Sequence, residues 1–279
     1  MNDLSPPLVS VIITTKNRER LLRSAIDSVL AQTLPDRELI VVDDGSSDGT
    51  FELLRGYEAG GKLRSLRLTA SMGANHARNA GAAMARGTYL AYLDDDDSWR
   101  PRKLELQVAL IKDRPEVSLV GCWFMRDGSL QAPPALVSGR LLQSANVIGA
   151  FSMGLFRKAD LIEAGGHDES LTNTQDWDLW MRLARRGQLA VAQECLADYA
   201  TSDPNAISRQ DPAIHFATYM KVIRRYRSEM GFWAFHRHRY FAAYHGEPRA
   251  HPLLRLYRRA CCWFARQMDR VCLACREAF

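Results

Sequence analysis

The chain has 279 residues, 47% of them hydrophobic and 25% charged, and its formal net charge is +5. This is ordinary globular composition, and the length allows one large domain or one domain with an appendage. No apolar run approaches the roughly 18 residues needed to span a bilayer, and residues 1–7 lack the features of a signal peptide, so we expect a soluble, cytoplasmic protein.

Strands alternate with helices in the first half of the chain. Short β-branched or alternating apolar runs predict four strands: Val9 to Thr14, Glu38 to Val42, Leu63 to Leu68 and Thr88 to Leu93. Helical patterns occur over 21–30 and 73–85, and Pro101 stands where the first turn of another helix tolerates proline. We therefore predict an α/β fold with a Rossmann-like, mostly parallel sheet flanked by helices, which binds ligands at the carboxyl ends of its strands.

The second half of the chain is less regular. Residues 121–149 indicate no clear element. Beyond them the pattern predicts a strand over 151–156 and helices over 158–164, 176–186, 212–244 and 252–277. The chain is therefore predicted to form a domain of residues 1–205 and a helical C-terminal extension of residues 206–279.

Six cysteines are expected to be reduced thiols in the core or at an interface. They are Cys122, Cys195, Cys261, Cys262, Cys272 and Cys275. The four C-terminal cysteines lie in a helical pattern, and no Cys/His spacing matches a zinc module.

Four consecutive carboxylates, Asp94 to Asp97, end the fourth predicted strand. Their charges repel each other, so the cluster has to be fully solvated or neutralised by a cation. Hard divalent ions prefer oxygen ligands, and Mg2+ commonly takes one or two carboxylates plus substrate phosphate oxygens. Asp43 and Asp44 end a second strand in the same way. The sequence therefore predicts a metal–phosphate site at this edge of the sheet.

Three other nucleotide- or phosphate-handling classes are disfavoured. The first strand is not followed by G-x-G-x-x-G, and no Walker A sequence occurs, which argues against a dinucleotide oxidoreductase and a P-loop NTPase. A phosphatase with an Asp-x-Asp nucleophile pair would usually carry that pair on its first strand, whereas Asp94 and Asp96 follow the fourth.

Six motifs occur in order along the chain: VSVIITTKNR, VVDDGSSDGT, MGANHARNAG, YLDDDDSW, GGHDES and QDWDLWMRL. Together they resemble glycosyltransferase family 2, whose members are inverting nucleotide-sugar transferases of the GT-A fold. The resemblance runs from about Leu8 to about Ala200, in the order and spacing of that family.

The resemblance implies a set of nucleotide-binding residues. These are Thr14, Thr15, Asn17, Asp44, Arg78, Asp94 and Asp95. Thr14 and Asp44 match residues that hold the nucleobase and ribose, and Arg78 matches a residue near the base and phosphates. Lys16 stands where many relatives carry an aromatic residue that stacks on the base, so the choice of UDP over GDP or dTDP stays open.

Asp94 and Asp96 match the D-x-D element of the family. Asp96 is expected to bind a divalent metal ion, Mn2+ or Mg2+, that bridges the donor diphosphate, and Asp94 to contact the ribose or a metal-bound water. Asp97 is expected to support these groups, whereas Asp95 is expected to face solvent.

Asp176 is the predicted catalytic base. In the family a Glu-Asp pair opens a helix of pattern D-x-x-L-W-x-R, and its Asp takes the proton from the acceptor hydroxyl. Here the pair is Gln175 and Asp176. Replacing Glu by Gln removes a neighbouring negative charge, which could lower the pKa of Asp176 or alter acceptor contacts.

Basic residues concentrate in the predicted extension. Residues 220–279 hold 13 lysines and arginines against four acidic residues, a balance of +9, whereas residues 1–219 have a balance of −4. A basic amphipathic helix is predicted from Pro252 onward. It could lie on an anionic membrane surface, or it could pack on the main domain or on a second subunit, as in a homo-oligomer. Both alternatives stay open, and nucleic-acid binding is disfavoured because no recognition motif accompanies the charge.

The resemblance thus implies an inverting, metal-dependent glycosyltransferase. The expected donor is a nucleotide-sugar, first of all a UDP-sugar, and the expected acceptor is a saccharide or a lipid-linked hydroxyl in cell-surface polysaccharide or glycolipid synthesis. If the tail binds a membrane, the enzyme would sit on the cytoplasmic face. Two alternatives are a non-catalytic nucleotide-sugar-binding subunit, which Gln175 and Lys16 keep open, and a nucleotidyltransferase of similar fold.

Overall fold

The computed structural model describes residues 5–200, 212–230, 235–236 and 238. The chain divides into two compact units, Met1–Pro204 and Asn205–Phe279. In the second unit a helix covers Pro212–Arg225, at the start of the helical pattern predicted from residue 212. The pattern predicted over 252–277 and the four C-terminal cysteines lie outside the described residues.

A single mixed sheet organises the first unit. Within residues 5–200 its ten strands are β1 Val9–Thr15, β2 Arg37–Asp43, β3 Arg64–Arg67, β4 Tyr89–Asp94, β5 Ser98–Trp99, β6 Val117–Arg126, β7 Ser129–Gln131, β8 Leu136–Val137, β9 Leu155–Arg157 and β10 Gln188–Tyr199. Their order is β3-β2-β1-β4-β9-β6-β10-β5, with β7 beside β6 and β8 beside β10. The longest ladders, β1 with β2, β1 with β4 and β6 with β10, are parallel.

Seven helices accompany these strands within residues 5–200. They are α1 Glu19–Leu30, α2 Thr50–Ala59, α3 Ala74–Met84, α4 Lys103–Ile111, α5 Gly139–Ser144, α6 Lys158–Glu163 and α7 Gln175–Ala184, and a 3-10 turn covers Phe151–Met153. Helix α1 shows how apolar residues at helical spacing form one buried helix face. Its residues Leu22, Ala25, Ile26 and Val29 recur at helical spacing and are all fully buried.

Strand β1 lies between β2 and β4 and pairs in parallel with both. The carboxyl ends of these three strands form the edge of the sheet where the site was predicted, which we call the site edge. The β-branched run of β1 is almost wholly buried, as a strand covered on both faces should be. In this register Thr14 lies beside Asp94 of β4, and Thr15 lies beside Asp43 of β2. The carboxyl ends of three strands, and the acidic residues that follow two of them, therefore meet at one edge.

The predicted Rossmann-like sheet and its first four strands are confirmed, and so are helices α1, α3 and α4. The strand predicted over 151–156 is wrong, because a 3-10 turn precedes a strand that starts only at Leu155. Helix α2 and the long strands β6 and β10 were not predicted. The apolar runs of β6 and β10 did carry a strand signal.

An aromatic cluster lies beneath the site edge. His167 packs its ring against Tyr92 and Phe151, with centroids 4.8 and 5.1 Å away. It is buried, and neither ring nitrogen has a hydrogen-bond partner among the described residues. Burial, followed by the positive charges of Arg78 and Arg182, holds the pKa of His167 well below its usual value. The imidazole is therefore neutral in the folded protein.

Replacing His167→Phe should stabilise the protein, most of all at low pH. The unfolded chain protonates this histidine below its ordinary pKa of about 6.5, but the folded protein does not, so wild-type stability falls as the pH drops below that value. By linkage this residue should cost at most about 1.4 kcal/mol between about pH 8 and about pH 5.5. Denaturant unfolding of both proteins at the two pH values measures it, and an unchanged pH dependence in the variant would contradict a neutral buried imidazole.

Candidate active site

The four aspartates at the end of β4 form a tight turn and have different environments. The Asp97 N–H donates to the Asp94 carbonyl at 3.1 Å, which folds the segment back on itself. Asp95 is buried and accepts hydrogen bonds from Thr15 Oγ1 at 2.6 Å and Arg18 Nη1 at 2.7 Å. The prediction that Asp95 faces solvent is therefore wrong. These hydrogen bonds hold the turn against the end of β1.

Asp96, the predicted metal ligand, is the member held most loosely by protein groups. Its Oδ2 lies 3.3 Å from Arg18 Nη1, and its side chain is 13% exposed. Burial raises its pKa to about 6, and the negative charges of Asp94 and Asp95 add to the effect. This carboxylate lacks sufficient positive charge around it, and a cation bound there would relieve the repulsion.

Asp97 is buried. It accepts a hydrogen bond from the Ala200 N–H at 2.9 Å, just after β10. Burial, and then the charge on Asp94, raises its pKa well above the usual value. The contact ties the acidic turn to the far half of the sheet, in line with the supporting role expected from the sequence.

Arg78, on α3, joins the acidic strand end to the helix of the predicted base. Its Nη2 donates to Asp94 Oδ1 at 2.8 Å, and its Nη1 donates to Gln175 Oε1 at 2.8 Å. The guanidinium is almost fully buried and lies 4.2 Å from the centroid of the Phe151 ring. These contacts give it a fixed orientation, so its charge stays between β4 and α7.

Gln175 is suited to its position by having both a donor and an acceptor. Its Oε1 accepts from Arg78, while its Nε2 donates to the Leu171 carbonyl at 2.8 Å. A glutamate could make the first contact but would turn a second acceptor towards that carbonyl. The departure from the family's Glu thus has a local structural reason.

Asp176 stands in the first turn of α7 and is half-buried. Its Oδ1 accepts from the Trp177 N–H at 2.7 Å, and its Oδ2 accepts from Asn146 Nδ2 at 3.2 Å. Its pKa is raised to about 6, chiefly by burial and also by the charge on Asp94, while the Trp177 N–H, Arg78 and Asn146 oppose the rise. A carboxylate with this pKa is ionised at neutral pH yet is a better base than an exposed aspartate.

Asp44 holds a loop in this structure. Its carboxylate accepts from Ser71 Oγ and from the backbone N–H groups of Met72 and Gly73, at 2.7 to 3.0 Å. Lys16 Nζ donates to the same Ser71 hydroxyl at 3.0 Å. Three of the roughly four acceptor positions of the carboxylate are used. The nucleobase contact expected of Asp44 stays a prediction, and it would have to share or displace this loop.

Thr15 and Asn17 also make protein contacts at the end of β1. Thr15 donates to Asp95, as described above, and Asn17 Oδ1 accepts from the Ser47 N–H at 2.7 Å. Asn17 has a φ of 54°, a left-handed conformation that asparagine tolerates. Thr14 is half-buried beside Asp94. The nucleotide-binding roles of all three residues stay predictions.

The residues present fit a divalent ion that takes further ligands from the bound substrate. Among the described residues, no group of three His, Cys, Asp or Glu side chains converges on one point. Asp96 offers carboxylate oxygen in a site with excess negative charge, and oxygen is the donor type that Mn2+ and Mg2+ accept. Phosphate oxygens and water would have to complete the coordination.

Three contributors were not identified from the sequence. Arg18 contacts two of the aspartates, Asn146 contacts the predicted base, and Ser152 Oγ accepts the Asp94 N–H at 3.1 Å. Arg18 directly follows the TTKN segment, and this position next to predicted nucleotide-binding residues could have identified it. Asn146 and Ser152 lie in stretches where the sequence pattern indicated no chemistry.

Solved structures of other proteins share this architecture. The Staphylococcus aureus TarS fragment 1-349, in complex with UDP-GlcNAc, matches with a TM-score of 0.65 at 19% identity, over 77% of this chain and 65% of that one. The mannosyltransferase PcManGT from Pyrobaculum calidifontis, in complex with GDP-Man and Mn2+, matches with a TM-score of 0.62 at 22% identity, over 79% and 65%. The protein has the GT-A fold.

Sequence comparison then assigns the family. The profile of glycosyl transferase family 2 matches residues 10–154, more than half of the chain. A Bacillus subtilis protein named putative teichuronic acid biosynthesis glycosyltransferase TuaG is 34% identical over 204 residues, which cover 69% of this chain and 79% of that one. The Escherichia coli protein named UDP-Glc:alpha-D-GlcNAc-diphosphoundecaprenol beta-1,3-glucosyltransferase WfgD is 29% identical over 190 residues, or 66% and 72%. The chain belongs to glycosyl transferase family 2.

Removing the buried guanidinium should cost far more stability than removing an exposed one. Arg78→Ala leaves Asp94 and Gln175 without their shared donor, and we expect a loss of about 3 kcal/mol in the free energy of unfolding. Arg86→Ala is the matched control, because Arg86 pairs with Glu38 from a side chain that is half exposed, and should cost less than about 1 kcal/mol. Denaturant unfolding compares the two, and equal losses would contradict a central role for the Arg78 contacts.

Proposed function

We propose that this protein transfers a sugar from a nucleotide-diphosphate sugar to an acceptor hydroxyl, with inversion at the anomeric carbon. The observation that carries the proposal is the pair of contacts made by Arg78, since one guanidinium holds both the acidic end of β4 and the start of α7. These contacts support donor binding at the strand end and proton removal at the nearby helix start.

Asp176 is the proposed base. Asn146 and the Trp177 N–H orient its carboxylate, and its pKa of about 6 leaves it ionised at neutral pH. It would accept the proton of the acceptor hydroxyl as that oxygen forms its bond to the anomeric carbon. The bond to the nucleoside diphosphate breaks on the opposite side, which inverts the carbon.

Asp96 is the proposed ligand for a divalent ion, with Asp94 beside it. When bound, such an ion offsets the charge that grows on the leaving diphosphate. The protein itself supplies positive charge next to the aspartates, through Arg18 beside Asp95 and Arg78 beside Asp94. Asp95 and Asp97 keep the acidic turn in place.

We further propose a UDP-sugar as donor and cell-surface polysaccharide or glycolipid synthesis as the setting. The names of TuaG and WfgD support the setting, and the name of WfgD specifies UDP-Glc. TarS with UDP-GlcNAc and PcManGT with GDP-Man are complexes of the same fold, so the fold alone accommodates either nucleotide. The cytoplasmic location stays a prediction; among the described residues, no helix is long and apolar enough to span a bilayer.

A non-catalytic binding subunit is a weaker candidate. Its main support was that Gln175 stands where the family has Glu. The contacts of the Gln175 amide with Arg78 and Leu171 explain this replacement, and the neighbouring Asp176 is kept. Binding of UDP and Mn2+ without donor hydrolysis or transfer would nevertheless decide for the subunit.

The variants Asp176→Asn and Asp96→Ala should each nearly abolish transfer without unfolding the protein. Loss of the base should lower kcat by about 10²- to 10⁴-fold. Rates with a panel of nucleotide-sugars measure the effect. Calorimetry with UDP and Mn2+ distinguishes the roles of the two residues, because Asp176→Asn should keep metal-dependent UDP binding and Asp96→Ala should lose it. Full activity in either variant removes that residue from the mechanism.

Transfer should also fall as the pH drops through about 6, because Asp176 then becomes protonated. The profile of kcat against pH, measured with saturating Mn2+, reports this ionisation. Asn146→Ala removes a hydrogen bond that favours the ionised form, so it should move the acidic limb up by roughly half a pH unit. An acidic limb that does not respond to Asn146→Ala would point to another group as the base.

A further inference from the structure

We propose that Arg18 is a further donor-site residue, which holds Asp96 in the absence of donor and moves to the donor diphosphate when it arrives. On this view Arg18 makes the divalent ion bind strongly only together with the nucleotide. The inference rests on the proposed function, in which Asp96 binds the metal.

The contacts of Arg18 are unequal. Its Nη1 lies 2.7 Å from Asp95 Oδ1 and 3.3 Å from Asp96 Oδ2. Asp95 is buried and is also held by Thr15, so it anchors the guanidinium. Asp96 is more exposed and makes the longer contact. The contact with Asp96 is therefore the one that can be exchanged while Arg18 stays attached to Asp95.

The backbone near Arg18 is held in place while its side chain reaches into the site. The preceding Asn17 donates its N–H to Ser46 Oγ at 2.9 Å, and its side-chain oxygen accepts from Ser47, which ties the loop after β1 to the loop after β2. The Arg18 side chain is 18% exposed. Because the backbone is tied on both sides of this loop, a change of partner would come from rotation of the side chain.

Charge explains why the exchange would depend on the donor. A divalent ion on Asp96 would lie close to the guanidinium, and like charges repel. The diphosphate of a nucleotide-sugar brings negative charge to the ion, and its oxygens match the fork of an arginine. Arg18 would oppose the metal alone and favour the metal together with the diphosphate.

The test is Mn2+ affinity, measured by calorimetry on the full chain with and without UDP, in wild type and Arg18→Gln. Without UDP, the variant should bind Mn2+ about tenfold more tightly than wild type, which corresponds to about 1.4 kcal/mol. UDP should tighten Mn2+ binding strongly in wild type and about tenfold less in the variant. Weaker or unchanged Mn2+ binding by the variant without UDP overturns the inference.

Arg20→Gln is the matched control, since it removes the same charge from an exposed position two residues further along the chain, in the first turn of α1. It should leave Mn2+ affinity within about twofold of wild type. Arg18→Lys keeps the charge but loses the fork, so it should bind Mn2+ alone as weakly as wild type and bind UDP less tightly. An equal gain in Arg20→Gln and Arg18→Gln would mean that net charge alone is responsible, and would overturn the inference.

Asp96→Ala distinguishes the inference from the proposed function. If this variant keeps the wild-type affinity for Mn2+, the ion binds elsewhere, and both the metal assignment and the inference fail. If Asp96→Ala loses Mn2+ binding while Arg18→Gln behaves as wild type, the metal assignment stands and only the inference about Arg18 fails.

Discussion

The buried guanidinium of Arg78 holds together two segments that lie about 80 residues apart in the chain. Asp94 ends a central strand, and Gln175 opens the helix that carries Asp176. A buried positive charge is tolerated only with partners that neutralise or bind it. Asp94 supplies the charge, Gln175 and the face of Phe151 supply polar and aromatic contacts, and α3, β4 and α7 have to stay where these contacts are satisfied.

The aspartates at the end of β4 differ in how far neighbouring groups balance their charge. Arg18 and Thr15 satisfy Asp95, Arg78 satisfies one oxygen of Asp94, and the backbone after β10 binds Asp97. Asp96 has only the longer contact with Arg18, and its pKa is raised. The same negative field reaches Asp176, whose pKa is raised by burial and by Asp94. The proposed cation site and the proposed general base therefore share one arrangement of charges.

Most of the first half of the fold could be predicted from local patterns. The β-branched run of β1 and the helical spacing of α1 each specify one element, because burial of a strand or of a helix face imposes its own period. The second half was harder, since β9 joins the sheet between β4 and β6 and pairs antiparallel with both. Its three residues carry too little pattern to reveal a partner more than 60 residues upstream.

The sequence alone determined the sheet class, the acidic strand ends and the candidate base, because these depend on residue types at short spacing and on motifs in a fixed order. Only the tertiary structure decided which aspartates are buried, which arginine contacts Asp95, and which groups Gln175 contacts. Burial of Asp95 follows from contacts with Thr15 and Arg18, nearly 80 residues upstream. Hydrogen bonding and desolvation depend on distances in space, and the spacing of residues along the chain does not contain them.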